Sequence, residues 1–330
     1  MYTHPADKTG SVCEKVYILK VSGVRIVVIP QPSKLMRRVR FSYPAPCIMS
    51  KLKLILVILA LSTFGLVQAK PKATTIRAEP SSVLYDVGTG RNLHEHNATN
   101  TISIASMTKL ITVLTVFEAN QDLNETIRVI GKEISNRIRV GMFLSRADLI
   151  ELAMVASDNL AARTLIEHYP GGYATGIEAM NALAYRLGAT HTSLIEPTGL
   201  FAANTSTADD IVKITQAAGQ YLQFAKFANQ KTAEVRAERV SKTRRVFQWI
   251  TGRTTNPFAN EPVKFEMLAF KTGFTTAAGY CLTMLVSYNN RQYILVTAGN
   301  SSKQARKVQA DRLIKQITNQ QYQIDITEAT

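Results

Sequence analysis

Runs of β-forming residues stand at both ends of the span 81–317, with a long stretch of helical period between them, and this constrains the fold more than any other feature. Near its start, Ser82 to Val87 reads as a strand, Gly88-Thr89-Gly90 as a turn, and Arg91 to Glu95 as the returning strand. Near its end, Lys264 to Lys271, Tyr280 to Tyr288 and Arg291 to Gly299 are rich in Val, Leu, Tyr and Phe, with Asn289-Asn290 as a two-residue hairpin turn. In between, Met107, Leu110, Ile111, Leu114 and Phe117 recur at intervals of three and four, the period of a helix buried along one stripe. The region from about 106 to 220 therefore reads as mainly helical, most clearly over Arg146 to Tyr169 and Gly176 to Leu187. A terminal helix is expected over Ser302 to Ile317, with a frayed polar tail after it. The expected class is α+β: an antiparallel sheet flanked by helices, with a mainly helical subdomain inserted.

The composition, 46% hydrophobic and 19% charged over 330 residues, supports a packed core and excludes disordered, collagen-like and coiled-coil chains. A net charge of +15 suggests nucleic acid until its distribution is examined. Residues 1–69 hold ten Lys or Arg against Asp7 and Glu14, and the remainder carries only +7, so no nucleic-acid partner is implied. Cys13, Cys47 and Cys281 are too few and scattered for a disulfide framework. The five histidines lie in no C-x-x-C or H-E-x-x-H context, so neither a metal nor another cofactor is expected.

Met49-Ser50-Lys51-Leu52-Lys53 leads into a charge-free run that closes on Val67-Gln68-Ala69, the three parts of a signal peptide over residues 49–69. From Leu54 to Ala69 it has 16 residues, short of the ~20 that span a bilayer. Residues 1–48, basic and punctuated by Pro30, Pro32, Pro44 and Pro46, read as an upstream extension before the natural start at Met49. The mature chain would then be 70–330 and retain Cys281 as its single cysteine, read as a small buried hydrophobe.

Three short patterns carry chemistry: Ser106-Met107-Thr108-Lys109, Ser157-Asp158-Asn159 and Lys271-Thr272-Gly273. Each alone is weak, since Ser50 with Lys53, Ser287-Tyr288-Asn289 and Lys8-Thr9-Gly10 match the same patterns. Order and context separate them. Ser106 and Lys109 open an apolar-periodic helix three residues apart, so hydroxyl and amine share one face. A serine becomes a nucleophile when a base takes its proton, and a lysine serves once burial lowers its pKa. Ser157 to Asn159 follows the apolar Ala153-Met154-Val155-Ala156, where it either caps the next helix or faces a site. Lys271 and Thr272, ending a strand, have the chemistry to hold a carboxylate, and Gly273 permits close backbone approach.

Together these motifs resemble those of the low-molecular-mass penicillin-binding proteins, the serine D-alanyl-D-alanine peptidases, and most of all the periplasmic D-alanyl-D-alanine endopeptidases. His168-Tyr169-Pro170-Gly171-Gly172-Tyr173, Glu196-Pro197-Thr198-Gly199-Leu200 and Lys271 to Thr275 with Ala277-Ala278-Gly279 extend the resemblance over most of residues 81–317. It implies a β-lactamase/transpeptidase-like fold, a periplasmic location without a stable membrane anchor, peptidoglycan stem peptides as substrate and β-lactam antibiotics as acylating inhibitors. By position, Ser106 would be the nucleophile and Lys109 its base. Ser157 would relay the proton to the leaving amine, and Asn159 would orient Lys109 and the substrate amide. Lys271 and Thr272 would hold the substrate carboxylate beside Gly273, and the backbone N–H groups of Ser106 and Phe274 would form the oxyanion hole. Carboxypeptidase action is the near alternative, differing only in what leaves. A β-lactamase needs a carboxylate for deacylation, and Glu196 lacks the Glu-x-x-Leu-Asn context of class A enzymes. A penicillin-binding sensor would carry a signalling membrane domain, of which nothing follows residue 317. Arg236, Arg239, Lys242, Arg244, Arg245 and Arg253 concentrate positive charge, either as a solvated basic face or as an attractor of anionic cell-wall polymer.

Overall fold

The computed structural model describes residues 17–21, 24–28, 79–241 and 244–328, which fall into two units, 1–70 and 71–330. In the first unit, β1 (Tyr17–Val21) and β2 (Val24–Val28) pair antiparallel, a hairpin that the sequence reading did not assign. Residues 49–69, expected to be a signal peptide, lie outside the described residues.

The second unit is built on a five-stranded antiparallel sheet. It comprises β3 (Ser81–Asp86), β4 (Arg91–His96), β11 (Glu266–Thr275), β12 (Gly279–Tyr288) and β13 (Arg291–Asn300), in the order β11-β12-β13-β3-β4. The expected strands are present within a few residues, and Asn289 and Asn290 both take the positive φ that a tight hairpin requires. Alternation along the strands divides two cores. Cys281 and Leu285 of β12, Ile294 and Val296 of β13 and Val83 of β3 join the core shared with the helical region. Leu282, Met284, Leu295 and Leu84, one residue out of step, join the core that includes Leu313 and Ile317 of the terminal helix α7 (Lys303–Glu328). That helix runs past the expected end at Ile317. No Gly or Pro follows Ile317 to stop it, and the helical span extends to Glu328.

The inserted region carries α1 (Thr108–Glu118), α2 (Arg146–Val155), α3 (Asn159–Glu167), α4 (Gly172–Arg186), α5 (Ala208–Ala218) and α6 (Leu222–Asn229). Helix α5 lies on the sheet, where Thr215 and Thr283 share a hydroxyl–hydroxyl bond of 2.8 Å. The single helix expected over Arg146 to Tyr169 is two, because the chain turns at Ser157 with φ +56° and Asp158 then caps α3 by accepting from Ala161 N at 3.0 Å. The region also contains strands that periodicity did not reveal: β6 (Thr126–Arg128) and β7 (Phe143–Ser145), with β5 (Ile102–Ser103) and β8 (Thr205–Ser206) pairing elsewhere. A long hairpin, β9 (Thr232–Ser241) and β10 (Arg244–Arg253), joins β6 and β7 in a second sheet ordered β10-β9-β7-β6.

Candidate active site

Ser106 sits on a single 3-10 turn, Ala105–Met107, that leads directly into α1. Ala105 is held at φ +45°, a strained conformation for a residue with a Cβ. Two glycines fit against this turn. A Cβ on Gly199, itself at φ +80°, would lie 1.8 Å from the Ala105 carbonyl oxygen; a Cβ on Gly273 of β11 would lie 2.9 Å from Ser106 N. Strand β11 is the edge of its sheet, so its unpaired side is open to receive the serine turn. K-T-G is thus not at a strand end as expected but inside β11, which continues to Thr275.

Lys109, on the first turn of α1, is fully buried at 0% exposure. Its Nζ lies 2.9 Å from Ser106 Oγ, 2.7 Å from Asn159 Oδ1 and 2.7 Å from the Thr198 carbonyl. Burial lowers its pKa to about 7, against an upward pull from the Glu196, Asp158 and Glu133 carboxylates. The partner set defines the hydrogen-bond directions. Two of the partners are carbonyl oxygens that only accept, so when the amine is neutral it can use both its N–H groups on them and turn its lone pair to the Ser106 hydroxyl at 2.9 Å, a shorter path for that proton than the Thr198 carbonyl 3.4 Å from Ser106 Oγ. The arrangement positions a base on the serine.

Thr198 is itself clamped. Glu196 Oε2 accepts from Thr198 N at 2.8 Å and Thr198 Oγ1 at 2.6 Å; Oε1 accepts from Gly199 N at 2.6 Å and Asn204 Nδ2 at 3.1 Å. With four donors on a buried carboxylate, Glu196 has no free lone pair directed at a water, which weighs against a β-lactamase role. Thr112 Oγ1 fastens the same loop by donating to Pro197 O at 2.8 Å.

The turn at Ser157 places Ser157 and Asn159 on either side of the capping Asp158, so the motif both caps α3 and supplies the site. Lys271 reaches Ser157 across the cleft, its Nζ donating to Ser157 Oγ at 2.8 Å and to Thr272 O at 2.9 Å. It too is 0% exposed, and burial, with the Lys109 and Arg306 charges adding to it, holds its pKa well below the ordinary lysine value. The resemblance implies that Lys271 holds the substrate carboxylate; in the structure its amine hydrogen-bonds to Ser157. A cavity of about 530 Å³ opens before the serine, lined by Ser106, Ser157, Thr272, Gly273 and Phe274 of the expected residues, but not by Lys271. Its cationic wall is the first turns of α7, notably Arg306, which donates to the Cys281 carbonyl at 3.4 Å and whose Nε has no hydrogen-bond partner among the described residues. Thr255, donor-acceptor partner of Thr272 at 2.7 Å, and Tyr280, stacked on the half-exposed Phe274 with centroids 4.1 Å apart, complete that wall. Sequence reading missed Arg306 and Thr255, which lie far along the chain in segments without a motif. It noted Glu196 to Leu200 without seeing that the loop holds the lysine.

An antiparallel sheet with a helical insertion, and a serine–lysine pair at their junction faced by a second serine–lysine pair, define a serine acyl-transfer enzyme of the β-lactamase/transpeptidase-like fold. Residues 67–302 match the peptidase family S11, described as D-alanyl-D-alanine carboxypeptidase, and the chain belongs to that family of serine D-Ala-D-Ala peptidases. It is 33% identical over 256 residues to the D-alanyl-D-alanine endopeptidase of Escherichia coli, covering 74% of this chain and 80% of that one. Identity to the D-alanyl-D-alanine endopeptidase of Pseudomonas aeruginosa is 32% over 274 residues, covering 79% and 86%. In fold it is similar to a penicillin-binding protein of Listeria monocytogenes solved with cefotaxime bound, with a TM-score of 0.60 and 22% identity over 71% of this chain and 95% of that one.

Proposed function

We propose that the chain is a D-alanyl-D-alanine endopeptidase that cuts the D-alanyl bond of peptidoglycan cross-links through an ester on Ser106. The observation that carries this reading is the Lys109 partner set, which leaves the amine lone pair for the Ser106 proton. Ser106 Oγ attacks the D-alanyl carbonyl as its proton passes to Lys109 Nζ. The oxyanion that forms is met by the N–H groups of Ser106 and Phe274, each such donor being worth about 10²–10³ in rate. Collapse breaks the C–N bond, and the proton held on Lys109 passes by way of the Ser157 hydroxyl, which Lys271 holds in place, to the leaving amine, so that Lys109 is neutral again. Water then attacks the ester with Lys109 again as base, releasing the acid and restoring the serine.

Asn159 orients Lys109; Thr272 and Gly273 form the floor under the substrate, and Arg306 faces the substrate carboxylate across the cavity. β-Lactams would acylate the same serine as inhibitors, a reading supported by the cefotaxime-bound relative in fold. The names of the two bacterial relatives favour endopeptidase action; the family description keeps carboxypeptidase action as the second reading. We read residues 49–69 as a signal peptide, 1–48 as an upstream extension and 70–330 as the periplasmic enzyme, in accord with a family match that begins at residue 67. Among the described residues no helix is long and apolar enough to cross a membrane.

The test is incubation of the protein with purified cross-linked muropeptide dimer and with monomeric pentapeptide, beside a Ser106→Ala control, with products read by mass. Cleavage of dimer to monomers that the substitution abolishes supports the endopeptidase. Loss of one D-Ala from pentapeptide alone makes the enzyme a carboxypeptidase.

A further inference from the structure

The β9–β10 hairpin presents a face that the catalytic site does not use. Its strand register sorts its side chains. Ala233, Val235 and Ala237 of β9 and Ile250 of β10 are buried, turned toward the α2 side. The alternate residues face solvent: Arg245, Phe247 and Trp249 on β10, with Val240, Glu238 and Arg236 directly opposite them on β9. Trp249 is 73% and Phe247 50% exposed, although large aromatic rings ordinarily find cover. The Arg236 guanidinium, opposite Trp249, lies 3.9 Å from the centre of the Phe247 ring, while Arg245 pairs with Glu238 at 3.3 Å. The two rings are two residues apart on one face, about 7 Å along the strand. The result is a strip with two exposed aromatic rings, one of them covered on one face by Arg236, and with charges of both signs beside them.

We propose that this strip is a docking surface for peptidoglycan strands, on which sugar rings stack over Trp249 and Phe247 and stem-peptide carboxylates pair with Arg236 and Arg245. The proposal rests on the endopeptidase reading for the identity of the polymer. Three features select this occupant. Sugar rings offer apolar C–H faces to aromatic planes and hydroxyls to the flanking charges, and a strip carrying both suits a polyhydroxylic, carboxylate-bearing chain. The rings stand in mid-ribbon with Arg236, Glu238 and Arg245 around them, so a ligand lies lengthwise along the paired strands; a bilayer would select an apolar patch free of such charges. Finally, β10 runs straight into Thr254, Thr255 and Asn256, which line the cleft, so a polymer held on the ribbon is one short segment from Ser106. For a bond within an insoluble network, such retention raises the effective concentration of the cleft at its substrate.

The test is co-sedimentation of Ser106→Ala protein with intact, insoluble peptidoglycan sacculi, with and without Phe247→Ala and Trp249→Ala. The expected result is a fall of at least fivefold in the bound fraction for the double variant. In the Ser106 background, acylation by a fluorescent penicillin and cleavage of soluble muropeptide dimer should change by less than twofold. If the double variant folds poorly by circular dichroism, Trp249→Ala alone gives a smaller loss and Trp249→Tyr restores binding. Equal sedimentation with and without the rings overturns the proposal. So does ring-dependent binding to anionic phospholipid vesicles without binding to sacculi, or a ring-dependent dimer in solution. Because sedimentation is read without turnover, ring-dependent binding by a chain that cleaves no dimer supports the surface while overturning the endopeptidase reading.

Discussion

The base assignment makes a quantitative prediction about pH. If Ser106 is activated by neutral Lys109, the second-order rate of acylation follows the fraction of chains in which that amine is unprotonated. With a pKa of about 7, that fraction is about one half at pH 7, about a tenth at pH 6 and about a hundredth at pH 5. The rate should therefore rise tenfold per unit between pH 5 and 6.5 and level off above about pH 8. A lysine at its ordinary value of 10.5 would instead give a tenfold rise per unit through pH 9 with no plateau. The assay is stopped-flow acylation by a fluorescent penicillin over pH 5–9, with circular dichroism to confirm folding at each end. Glu196→Gln supplies the second half of the test. The Glu196 charge raises the Lys109 pKa, so its removal lowers that pKa and moves the limb toward acid, retaining more rate at pH 6 relative to the plateau. A rate flat from pH 5 to 9, or a limb displaced toward alkali in the variant, refutes the reasoning.

Two other perturbations probe the geometry around the serine. Gly199→Ala places a Cβ against the Ala105 backbone at a positive φ, with an expected cost of about 2–4 kcal/mol and a hundredfold loss of acylation. Gly172→Ala, at φ +86° with open space around it, should cost only about 1 kcal/mol and leave acylation intact; equal losses in urea melts and acylation would count against the packing argument. Arg306→Gln removes the cation facing the cavity, and kcat/KM for a cross-linked dimer with a free carboxylate on the amine side of the scissile bond should fall about tenfold, the scale of one charge-assisted hydrogen bond. The dimer with that carboxylate converted to a carboxamide should not distinguish the variant from the parent, and if it does, Arg306 acts on something other than the carboxylate.

The elements closest to one another along the chain were the ones visible in the sequence. Asn289-Asn290 between two apolar runs specifies a hairpin, because only a few residues tolerate its positive φ, and the three- and four-residue spacing from Met107 specifies α1. The same locality put Ser106 and Lys109 on one helical face. It failed over 126–145, where the strands are only three residues long, over 232–253, where the charges that alternate with Ala233, Val235 and Ala237 read as a basic face rather than as a strand, and at Ser157, where an apolar run conceals a break between two helices.

Residue types at short range were thus decided by the sequence alone: a serine with its lysine on one helical face, and an α+β order of elements. What surrounds those groups was decided by tertiary structure. Burial of Lys109, the Thr198 carbonyl that takes one of its N–H groups, the turning of Lys271 toward Ser157 and the arrival of Arg306 in the cavity all join segments distant in the chain. The physical reason is that a side chain's reactivity depends on desolvation and on its hydrogen-bond partners. Both are properties of a packed interior, which local sequence periodicity does not encode.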